Sequence, residues 1–385
     1  MFDQSSDRPT TLSGAQIVTP SGVVDGALRL DGGRIAGIAT ARGEGMDLTG
    51  HYLIPGIVDV HTDHVERHTH PRVGVIWSFL PALLAHDAVI ISGGTTTVFD
   101  SLSVGASMQK QERRELLVPL LAALSDAAGQ GLFRADHLLH LRCEISDPAT
   151  PTLVDGAIGL PMTRLISVMD HTPGDRQSPD VEKWFWHMIR DMEVNEAEGR
   201  RMMAELFDRS KAHGAQVRAH CIAAALGAGI PIMSHDDCTP AQVDQALAEG
   251  CTISEFPTTR LAAERARAAG LLVVAGAPNY LRGGSQSGNV AVAELLALGL
   301  VDVLASDYVP RSPLDAAFAL AADPALPAYD LPRTIDMVTG APARLAGLAD
   351  RGAIAEGLRA DLVAIRLFGT QPHVTAVWRS GIRVY

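Results

Sequence analysis

The sequence predicts an α/β protein: a (βα)8 TIM-like barrel beside a small β-sandwich that is formed from both ends of the chain. Three observations support this prediction. Eight apolar runs recur through the middle of the chain with helix-prone segments between them, which is the βα alternation of a parallel sheet. Most of these runs end on His, Asp or Glu, and the active sites of such barrels lie at the C-terminal strand ends. Short apolar runs separated by Gly and Asp turns occupy both chain ends.

The composition excludes several classes of function. The chain has 385 residues, 47% of them hydrophobic, and a formal net charge of −12, which argues against a nucleic-acid-binding surface. No apolar run reaches the roughly 18 residues that a membrane span needs, and the polar first residues lack the apolar core of a signal peptide. The four cysteines show neither CxxC spacing nor a disulfide framework. We therefore expect a cytoplasmic protein with a small-molecule partner, no nucleic acid and no membrane, and a homodimer as the commonest assembly.

The two ends of the chain are expected to pair into one β-sandwich. Residues 11–54 alternate apolar runs with turns, and Asp31-Gly32-Gly33 between two apolar runs is typical of a hairpin. A similar pattern returns over residues 360–365 and 374–384. The predicted domains are a composite sandwich of residues 1–53 and 345–385, and a barrel of residues 54–344. Residues 172–229 are charged and helix-prone, which predicts an inserted helical segment that could cover the site.

The eight runs place possible metal ligands at one end of the barrel. The predicted strands are Ile54–His61, Thr95–Asp100, His137–Glu144, Leu165–Asp170, Ile230–His235, Thr252–Phe256, Leu271–Ala275 and Val301–Ser306. His61 and Asp63 point the same way, because alternate residues of a strand share a face. Imidazole and carboxylate groups there suit a divalent ion such as Zn, Mn or Fe. A single His at a strand end is more often a hydrogen-bonded core residue, but here five strand ends agree. The candidate ligands are His61, Asp63, Glu144, His171, His235 and Asp307.

These ligands predict a divalent-metal site, and we expect it to be binuclear. Two ions about 3.5–4 Å apart make a water between them acidic and hold the attacking and leaving oxygens of a displacement. Some barrels bridge such a pair with a carbamylated lysine, but none of the three lysines, Lys110, Lys183 and Lys211, follows a strand. Glu144 is therefore the expected bridge. Asp307 is the expected catalytic residue, since its carboxylate can both ligate and accept the proton of the attacking water.

A glycine-rich loop after the seventh strand predicts an anion site. Its sequence, APNYLRGGSQSGN over residues 277–289, leads into a helix predicted over Val290–Leu298. Glycines let backbone amides face an anion, a helix N-terminus favours negative charge, and Arg282 adds a bidentate guanidinium. The alternative is a merely flexible loop. Glu255 is expected to touch the substrate or to orient His235. The candidate substrate-binding residues are Asn279, Arg282, Gly283, Gly284, Ser285, Ser287, Asn289, Glu255 and Arg72.

With these residues laid out, the chain resembles the amidohydrolase superfamily, and within it the branch that acts in phosphonate metabolism. The resemblance runs from about residue 50 to the C-terminus and is carried by PGIVDVHTDH, AHDAVIISGGTTTVFDS, LHLRCE, LISVMDHTPGDRQ, SHDD, SEFPTT, GAPNYLRGGSQSGN, ASDYVP and DRGAIAEGLRADLV. It implies a barrel of the amidohydrolase type and a metal-dependent diphosphatase of the carbon–phosphorus lyase pathway. That enzyme would cut alpha-D-ribose 1-methylphosphonate 5-triphosphate between its α and β phosphates. The products would be 5-phosphoribosyl 1-methylphosphonate and pyrophosphate.

Two other functions fit parts of the sequence. A superfamily relative that cuts C–N bonds, such as a D-aminoacylase or a cyclic amidase, would direct the same activated water at a carbonyl. The RGGSQSGN loop and the missing strand-end lysine favour phosphate over that substrate. A non-catalytic barrel kept as a scaffold should have lost its ligands, whereas every expected strand end here carries one.

Overall fold

The computed structural model describes residues 10–41, 43–72, 74–106, 112–174, 176, 178, 180–285 and 287–385, with residues 112–114 described by their backbone alone. The strands in chain order are β1 (Thr10–Thr19), β2 (Gly22–Asp31), β3 (Arg34–Ala39), β4 (Met46–Asp47), β5 (Tyr52–Pro55), β6 (Ile57–Thr62), β7 (Thr95–Val104), β8 (Asp136–Glu144), β9 (Thr163–Met169), β10 (Ile232–His235), β11 (Ile253–Glu255), β12 (Leu272–Gly276), β13 (Val303–Ala305), β14 (Leu362–Phe368), β15 (Gln371–Arg379) and β16 (Ile382–Arg383). The helices are α1 (Val65–Thr69), α2 (Phe79–Ser92), α3 (Glu112–Gly129), α4 (Thr150–Ala157), α5 (Val181–Asp191), α6 (Glu196–Ala228), α7 (Pro240–Ala248), α8 (Arg260–Ala268), α9 (Ala277–Arg282), α10 (Val292–Ala297), α11 (Ser312–Ala321), α12 (Leu331–Asp336) and α13 (Gly340–Leu345). No helix within these ranges is long and apolar enough to cross a membrane.

Eight parallel strands form a barrel that is almost closed. Their hydrogen-bonded order is β6-β7-β8-β9-β10-β11-β12-β13, and helices connect neighbouring strands along the chain. The first and last strands meet at their C-terminal ends, where the amide of Asp307 donates to the carbonyl of His61 over 3.0 Å and the amide of Asp63 donates to the carbonyl of Asp307 over 2.8 Å. The predicted (βα)8 barrel is therefore confirmed, and its closure brings the ends of β6 and β13 together.

The two ends of the chain form the second sheet. Its order is β16-β15-β14-β5-β1-β2-β3, and β4 pairs with β1. The N-terminal and C-terminal parts join where β5 runs antiparallel to β14, with Tyr52 opposite Ile365. Leu12 and Trp378, from the two parts, belong to the same buried apolar cluster. The terminal strands thus form one continuous sheet rather than two separate hydrogen-bonded sheets. The domain boundaries at 53/54 and 344/345 stay a prediction.

The first barrel strand, predicted as Ile54–His61, is wrong in its boundaries. The chain changes sheets at Gly56: β5 ends at Pro55 in the terminal sheet and β6 begins at Ile57 in the barrel. A Cβ on Gly56 would lie inside van der Waals contact of Thr96, so only glycine fits at this crossing. Both halves of the run are apolar and buried, which is why the sequence pattern shows no break. The other seven predicted strands overlap β7 to β13 with shifted ends.

An ionic cluster joins the start of β8 to the terminal sheet. The carboxylate of Asp136 lies 2.6 Å from Arg351, 2.6 Å from Arg359 and 3.2 Å from Arg379. Arg379 is the last residue of β15, and the other two arginines precede β14. One barrel carboxylate therefore holds three guanidinium groups of the C-terminal segment.

The segment predicted as an insertion, residues 172–229, contains α5 and the long helix α6. The side chain of Asn195 begins α6 by accepting a hydrogen bond from the amide of Glu198 over 3.0 Å. Gly229 ends it in the left-handed region, with φ of 67°. The sequence therefore contains a local start signal at one end of α6 and a local stop signal at the other.

Candidate active site

Glu255 lies at the centre of the site. It is the last residue of β11, and its side chain is fully buried. One carboxylate oxygen lies 2.6 Å from Nδ1 of His61, and the other lies 2.6 Å from Nδ1 of His235. Because Glu255 holds both Nδ1 atoms, the Nε2 atoms remain for a ligand, which is how carboxylates orient metal-binding imidazoles. Of the two roles expected for Glu255, this position suits the orientation of His235 and not contact with substrate.

His61, Asp63 and Asp307 form the first group of possible ligands. One ligand atom of each lies within 4.8 Å of the other two. Nε2 of His61 lies 3.4 Å from a carboxylate oxygen of Asp63. Arg142, on the inner face of β8, donates to Asp63 from the side. Three of the six predicted ligands therefore converge where β6 and β13 meet.

His171, His235 and Asp236 form the second group, again with ligand atoms within 4.8 Å of one another. Nε2 of His235 lies 3.2 Å from Oδ2 of Asp236. That oxygen is buried and has no hydrogen-bond partner among the described residues. A buried carboxylate oxygen costs free energy unless a partner compensates it, so this atom fits a cation held between Asp236 and the two imidazoles. Asp236 is not among the ligands that the sequence predicts.

Glu144 does not occupy the bridging position that we expected. One oxygen accepts a hydrogen bond from the hydroxyl of Ser146 over 2.8 Å, and the other lies 2.6 Å from Nδ1 of His171. Burial would raise the pKa of Glu144, but the His171 imidazole and the Ser146 hydrogen bonds lower it overall. Glu144 therefore holds His171 much as Glu255 holds His61 and His235. Its carboxylate lies beside the second group and not between the two groups.

Neighbouring carboxylates raise the pKa of His61 and of His235. Burial lowers the pKa of His61, but Glu255 and Asp63 raise it overall to about 9. Burial likewise lowers the pKa of His235, and Asp236 and Glu255 raise it overall to about 10. A metal binds the neutral imidazole, so a metal ion at this site would compete with protons for His61 and His235.

Three strand ends at this mouth have strained backbones. Asp236, Phe256 and Asp307 have φ of 56°, 54° and 53°. Each follows a barrel strand, and each amide still donates to the neighbouring strand, as Asp236 does to the carbonyl of Glu255 over 2.9 Å. Non-glycine residues in the left-handed region cost roughly 1–3 kcal/mol each and concentrate at functional sites. The strain fixes the directions of the Asp236 and Asp307 side chains.

A pocket of about 670 Å³, open to solvent, leads to these groups. Asp236 and Asp307 lie on its inner side, and Tyr308 lies beside them. The predicted substrate-binding residues among its lining are Asn279, Gly284, Ser285, Ser287 and Asn289. Five residues of the predicted anion loop therefore face the same space as the possible metal ligands.

The loop itself differs from the prediction. Its first part is helix α9, which ends at Arg282, and the next helix, α10, begins only at Val292. The side-chain amide of Asn279 binds the last part of the loop, just before α10. Its nitrogen donates to the carbonyl of Val290 over 3.1 Å, and its oxygen accepts from the backbone amide of Val292 over 3.0 Å. Asn279 therefore closes the loop as well as lining the pocket.

Four predicted substrate-binding residues lie outside the pocket lining, namely Glu255, described above, and Arg282, Gly283 and Arg72. Arg282 is exposed and donates to the hydroxyl of Tyr308 over 3.1 Å, so it lies at the rim. Gly283 ends α9 with φ of 76° and contributes no lining surface. Arg72 is exposed, forms an isolated β-bridge with Val75 and is not a pocket residue. Of these, Arg282 contacts Tyr308 of the pocket wall through its side chain, and Gly283 contacts Asn279 through its backbone.

Sequence reasoning missed His140, which lies within β8. Its ring nitrogens lie 3.2 Å from the hydroxyl of Ser101 and 2.9 Å from that of Ser167. Nδ1 is also 3.9 Å from Glu255. Burial lowers the pKa of His140 to about 3, so the ring is neutral beneath the carboxylate. A signal existed, because His140 is four residues before Glu144 and therefore shares its strand face.

The geometry and the comparisons agree on the class of protein. A family model described as the amidohydrolase family matches residues 110–385. The chain belongs to the amidohydrolase family, which confirms the resemblance seen in its motifs. It is 38% identical over 378 residues to the alpha-D-ribose 1-methylphosphonate 5-triphosphate diphosphatase of Escherichia coli (strain K12), an alignment that covers 97% of this chain and 100% of that relative.

Solved structures share the fold at low identity. A 5-methylcytosine deaminase from Klebsiella pneumoniae, liganded with phosphonocytosine, matches with a TM-score of 0.63 and 18% identity over 98% of both chains. A dihydropyrimidinase from Brevibacillus agri matches with a TM-score of 0.55 and 12% identity over 98% of this chain and 95% of that chain. These likenesses support the barrel and terminal sheet. The amidohydrolase family is generally metal-dependent, which agrees with the donor groups found here.

Proposed function

We propose that this hydrolase converts alpha-D-ribose 1-methylphosphonate 5-triphosphate and water to 5-phosphoribosyl 1-methylphosphonate and pyrophosphate. The observation that carries the proposal is full-length similarity to a diphosphatase of that name, together with a pocket that joins an anion loop to the possible metal ligands. The substrate is a small phosphorylated molecule, and the reaction belongs to phosphonate catabolism.

We infer two divalent ions, zinc or manganese or iron. His61, Asp63 and Asp307 would hold one, and His171, His235 and Asp236 would hold the other. Nitrogen and carboxylate donors of this kind suit these metals. When bound, the ions would act as Lewis acids that lower the pKa of the attacking water and polarise the phosphoryl oxygens.

Asp307 is the residue that we assign to proton transfer. Burial raises the pKa of its carboxyl to about 6, a shift that Asp63 increases and that the imidazole of His61 opposes. A base with a pKa near 6 is ionised at neutral pH and still accepts a proton readily. Asp307 would take the proton of the water that attacks the α-phosphorus as the bond to the β-phosphate oxygen breaks. Its strained backbone holds the carboxylate at the pocket wall.

The anion loop would bind the departing pyrophosphate. Ser285, Ser287 and Asn289 line the same pocket as Asp236 and Asp307 and offer donors to phosphate oxygens. Arg282 at the rim would add a positive charge where negative charge accumulates on the leaving group. This division places the β and γ phosphates on the loop and the α phosphate at Asp307.

The runner-up function, cleavage of a C–N bond, has less support. The proposed catalytic groups would suit a carbonyl as well as a phosphorus. Two of the solved structures that share this fold are named as a dihydropyrimidinase and a 5-methylcytosine deaminase. Those likenesses lie below 25% identity and bear on the fold alone. The relative that matches over its whole length is a diphosphatase.

The test is pyrophosphate release from ribose 1-methylphosphonate 5-triphosphate, with ATP and an N-acyl amino acid as comparators. Metal-stripped protein would be assayed with zinc or manganese added back, beside Asp307→Asn. We expect metal-dependent release that falls about 10²–10⁴-fold in the variant, the usual contribution of a general base. Turnover of the amide with no pyrophosphate release under any metal would reject the diphosphatase and leave the site assignments standing.

A further inference from the structure

A cluster of three imidazoles lies apart from the two groups of possible ligands described above. His64 immediately precedes helix α1, His68 lies one turn later in that helix, and His86 lies in α2. One ring nitrogen of each lies within 4.8 Å of the other two. The three residues share no member with the ligand groups of the proposed catalytic site.

His64 and His68 already have the separation that two ligands of one ion require. Nδ1 of His64 lies 3.2 Å from Nε2 of His68. Two nitrogens of a tetrahedral zinc site, each about 2.0–2.1 Å from the ion, lie roughly 3.3 Å apart. Residues four apart on a helix face the same side, so the helical backbone sets this spacing. Both side chains are half-buried, so an ion could reach them from solvent.

His86 contributes an unpartnered nitrogen from a fully buried ring. Its Nε2 lies 2.8 Å from a carboxylate oxygen of Asp100. Its Nδ1 is buried and has no hydrogen-bond partner among the described residues. A core histidine normally satisfies both nitrogens, whereas a metal-binding histidine gives one N–H to a carboxylate and keeps the other nitrogen for the ion.

Both oxygens of the Asp100 carboxylate have partners, as expected for a carboxylate that orients a ligand. Its second oxygen lies 2.8 Å from Nδ1 of His137, and Nε2 of His137 lies 3.4 Å from Asp87. An ion among His86, Asp100 and His137 would have to displace hydrogen bonds that are already made. The nitrogen left to ligate is therefore Nδ1 of His86.

We propose that His64, His68 and His86 bind one zinc ion, or a similar divalent transition metal, separate from the ions of the catalytic site. Three imidazole donors without a carboxylate favour zinc over magnesium or calcium. The ion would tie α1 to α2. It would thereby fix the start of the segment that follows Asp63, at the mouth of the barrel. The proposal does not depend on which substrate the enzyme hydrolyses.

The test counts metal in the untagged full-length protein. Protein stripped with a chelator would be loaded with zinc, desalted and analysed by inductively coupled plasma mass spectrometry. We expect His68→Asn to retain one equivalent less than wild type, and His187→Asn, a change at an exposed histidine of α5, to match wild type. The double variant His61→Asn/His235→Asn should keep one equivalent, because it removes only ligands of the proposed catalytic ions.

Cobalt(II) gives a second readout that does not depend on activity. The double variant loaded with cobalt should show the visible absorption of a low-coordinate nitrogen site, and adding His68→Asn should abolish it. His64→Asn provides a second ligand deletion if one variant folds poorly, as judged by circular dichroism. Unchanged zinc content in both folded single variants, or a double variant that holds no zinc, would overturn the proposal and leave His64 and His68 as a hydrogen-bonded pair.

Discussion

Replacing Glu255 with glutamine tests how the site holds its imidazoles. The carboxylate is fully buried and lies 2.6 Å from Nδ1 of both His61 and His235. Glutamine has nearly the same shape but offers one oxygen and one amino group. It can accept a hydrogen bond from only one of the two imidazoles. The other imidazole must then carry its proton on Nε2, the nitrogen that would ligate the metal, or lose its partner.

The size of the effect follows from this count of bonds. Mutating a residue that orients one metal ligand costs about 10–100-fold in metal affinity, or roughly 1.4–2.7 kcal/mol. Glu255→Gln disturbs two ligands at once and removes a buried negative charge between them. We therefore expect a loss near 100-fold in zinc affinity.

The assay is competition for zinc against a chromophoric chelator, followed by pyrophosphate release at increasing zinc. We expect activity to fall at limiting metal and to recover in part when zinc is in excess. Glu264→Gln, at a half-buried position on α8 where the carboxylate pairs with Arg260, is the matched control. A Glu255→Gln protein that folds and binds zinc as tightly as wild type would refute this account of the site.

Three further predictions concern the junction of the sheets and the anion loop. Asp136→Asn should lower the free energy of unfolding at pH 7 by on the order of 2–3 kcal/mol, between the values for exposed and buried ion pairs. Burial raises the pKa of Asp136, but the surrounding arginines lower it overall, so the stabilisation from its carboxylate is present above pH 3.8 and is lost as the pH falls further. Chemical denaturation of wild type and variant should show their difference in free energy of unfolding shrinking below pH 3.8. A difference that stays constant with pH would contradict this role of Asp136. Gly56→Ala should cost about 1–3 kcal/mol through overpacking against a threonine of β7, measured by thermal denaturation, whereas Gly129→Ala has open space and serves as control; equal melting temperatures would contradict the crossing described here. Arg282→Ala should lower kcat and kcat/KM for the triphosphate about 10–100-fold, because a charge-assisted hydrogen bond to the leaving group contributes about 1.5–3 kcal/mol as its charge develops. Arg260→Ala is the control, and a rise in KM with kcat unchanged would place the guanidinium away from the leaving group.

Most of the barrel could be predicted because its signals are local. Each strand is a short apolar run, and each run ends on a polar residue that the barrel geometry must bring to one mouth. His61, Asp63 and Asp307 converge as expected for that reason. The sequence could not show where β5 ends and β6 begins, because both strands are buried and apolar. The crossing depends on the close approach of Gly56 to Thr96, which only the folded structure shows.

The partners of each ligand could not be predicted, since they depend on neighbouring strands. Glu144 and Glu255 are both the last residues of barrel strands, and nothing in their flanking residues tells which one lies between imidazoles. The structure resolves this by strand position: β11 lies next to β10, so Glu255 faces His235, and across the barrel it reaches His61. Glu144 lies next to β9 and reaches only His171.

The same geometry explains why the interior of the barrel matters to the site as much as its rim. Alternate residues of β8 point inward, so His140 lies one layer below Arg142. The neutral ring of His140 lies beneath Glu255, and burial would raise the pKa of that carboxyl if imidazoles did not surround it. His61 and His235 instead hold the pKa of Glu255 well below its usual value, so the carboxylate stays charged where it orients both ligands. A search confined to strand ends finds the candidate ligands and the carboxylates that orient them, whereas His140 and Arg142 lie within β8 and follow from side-chain alternation.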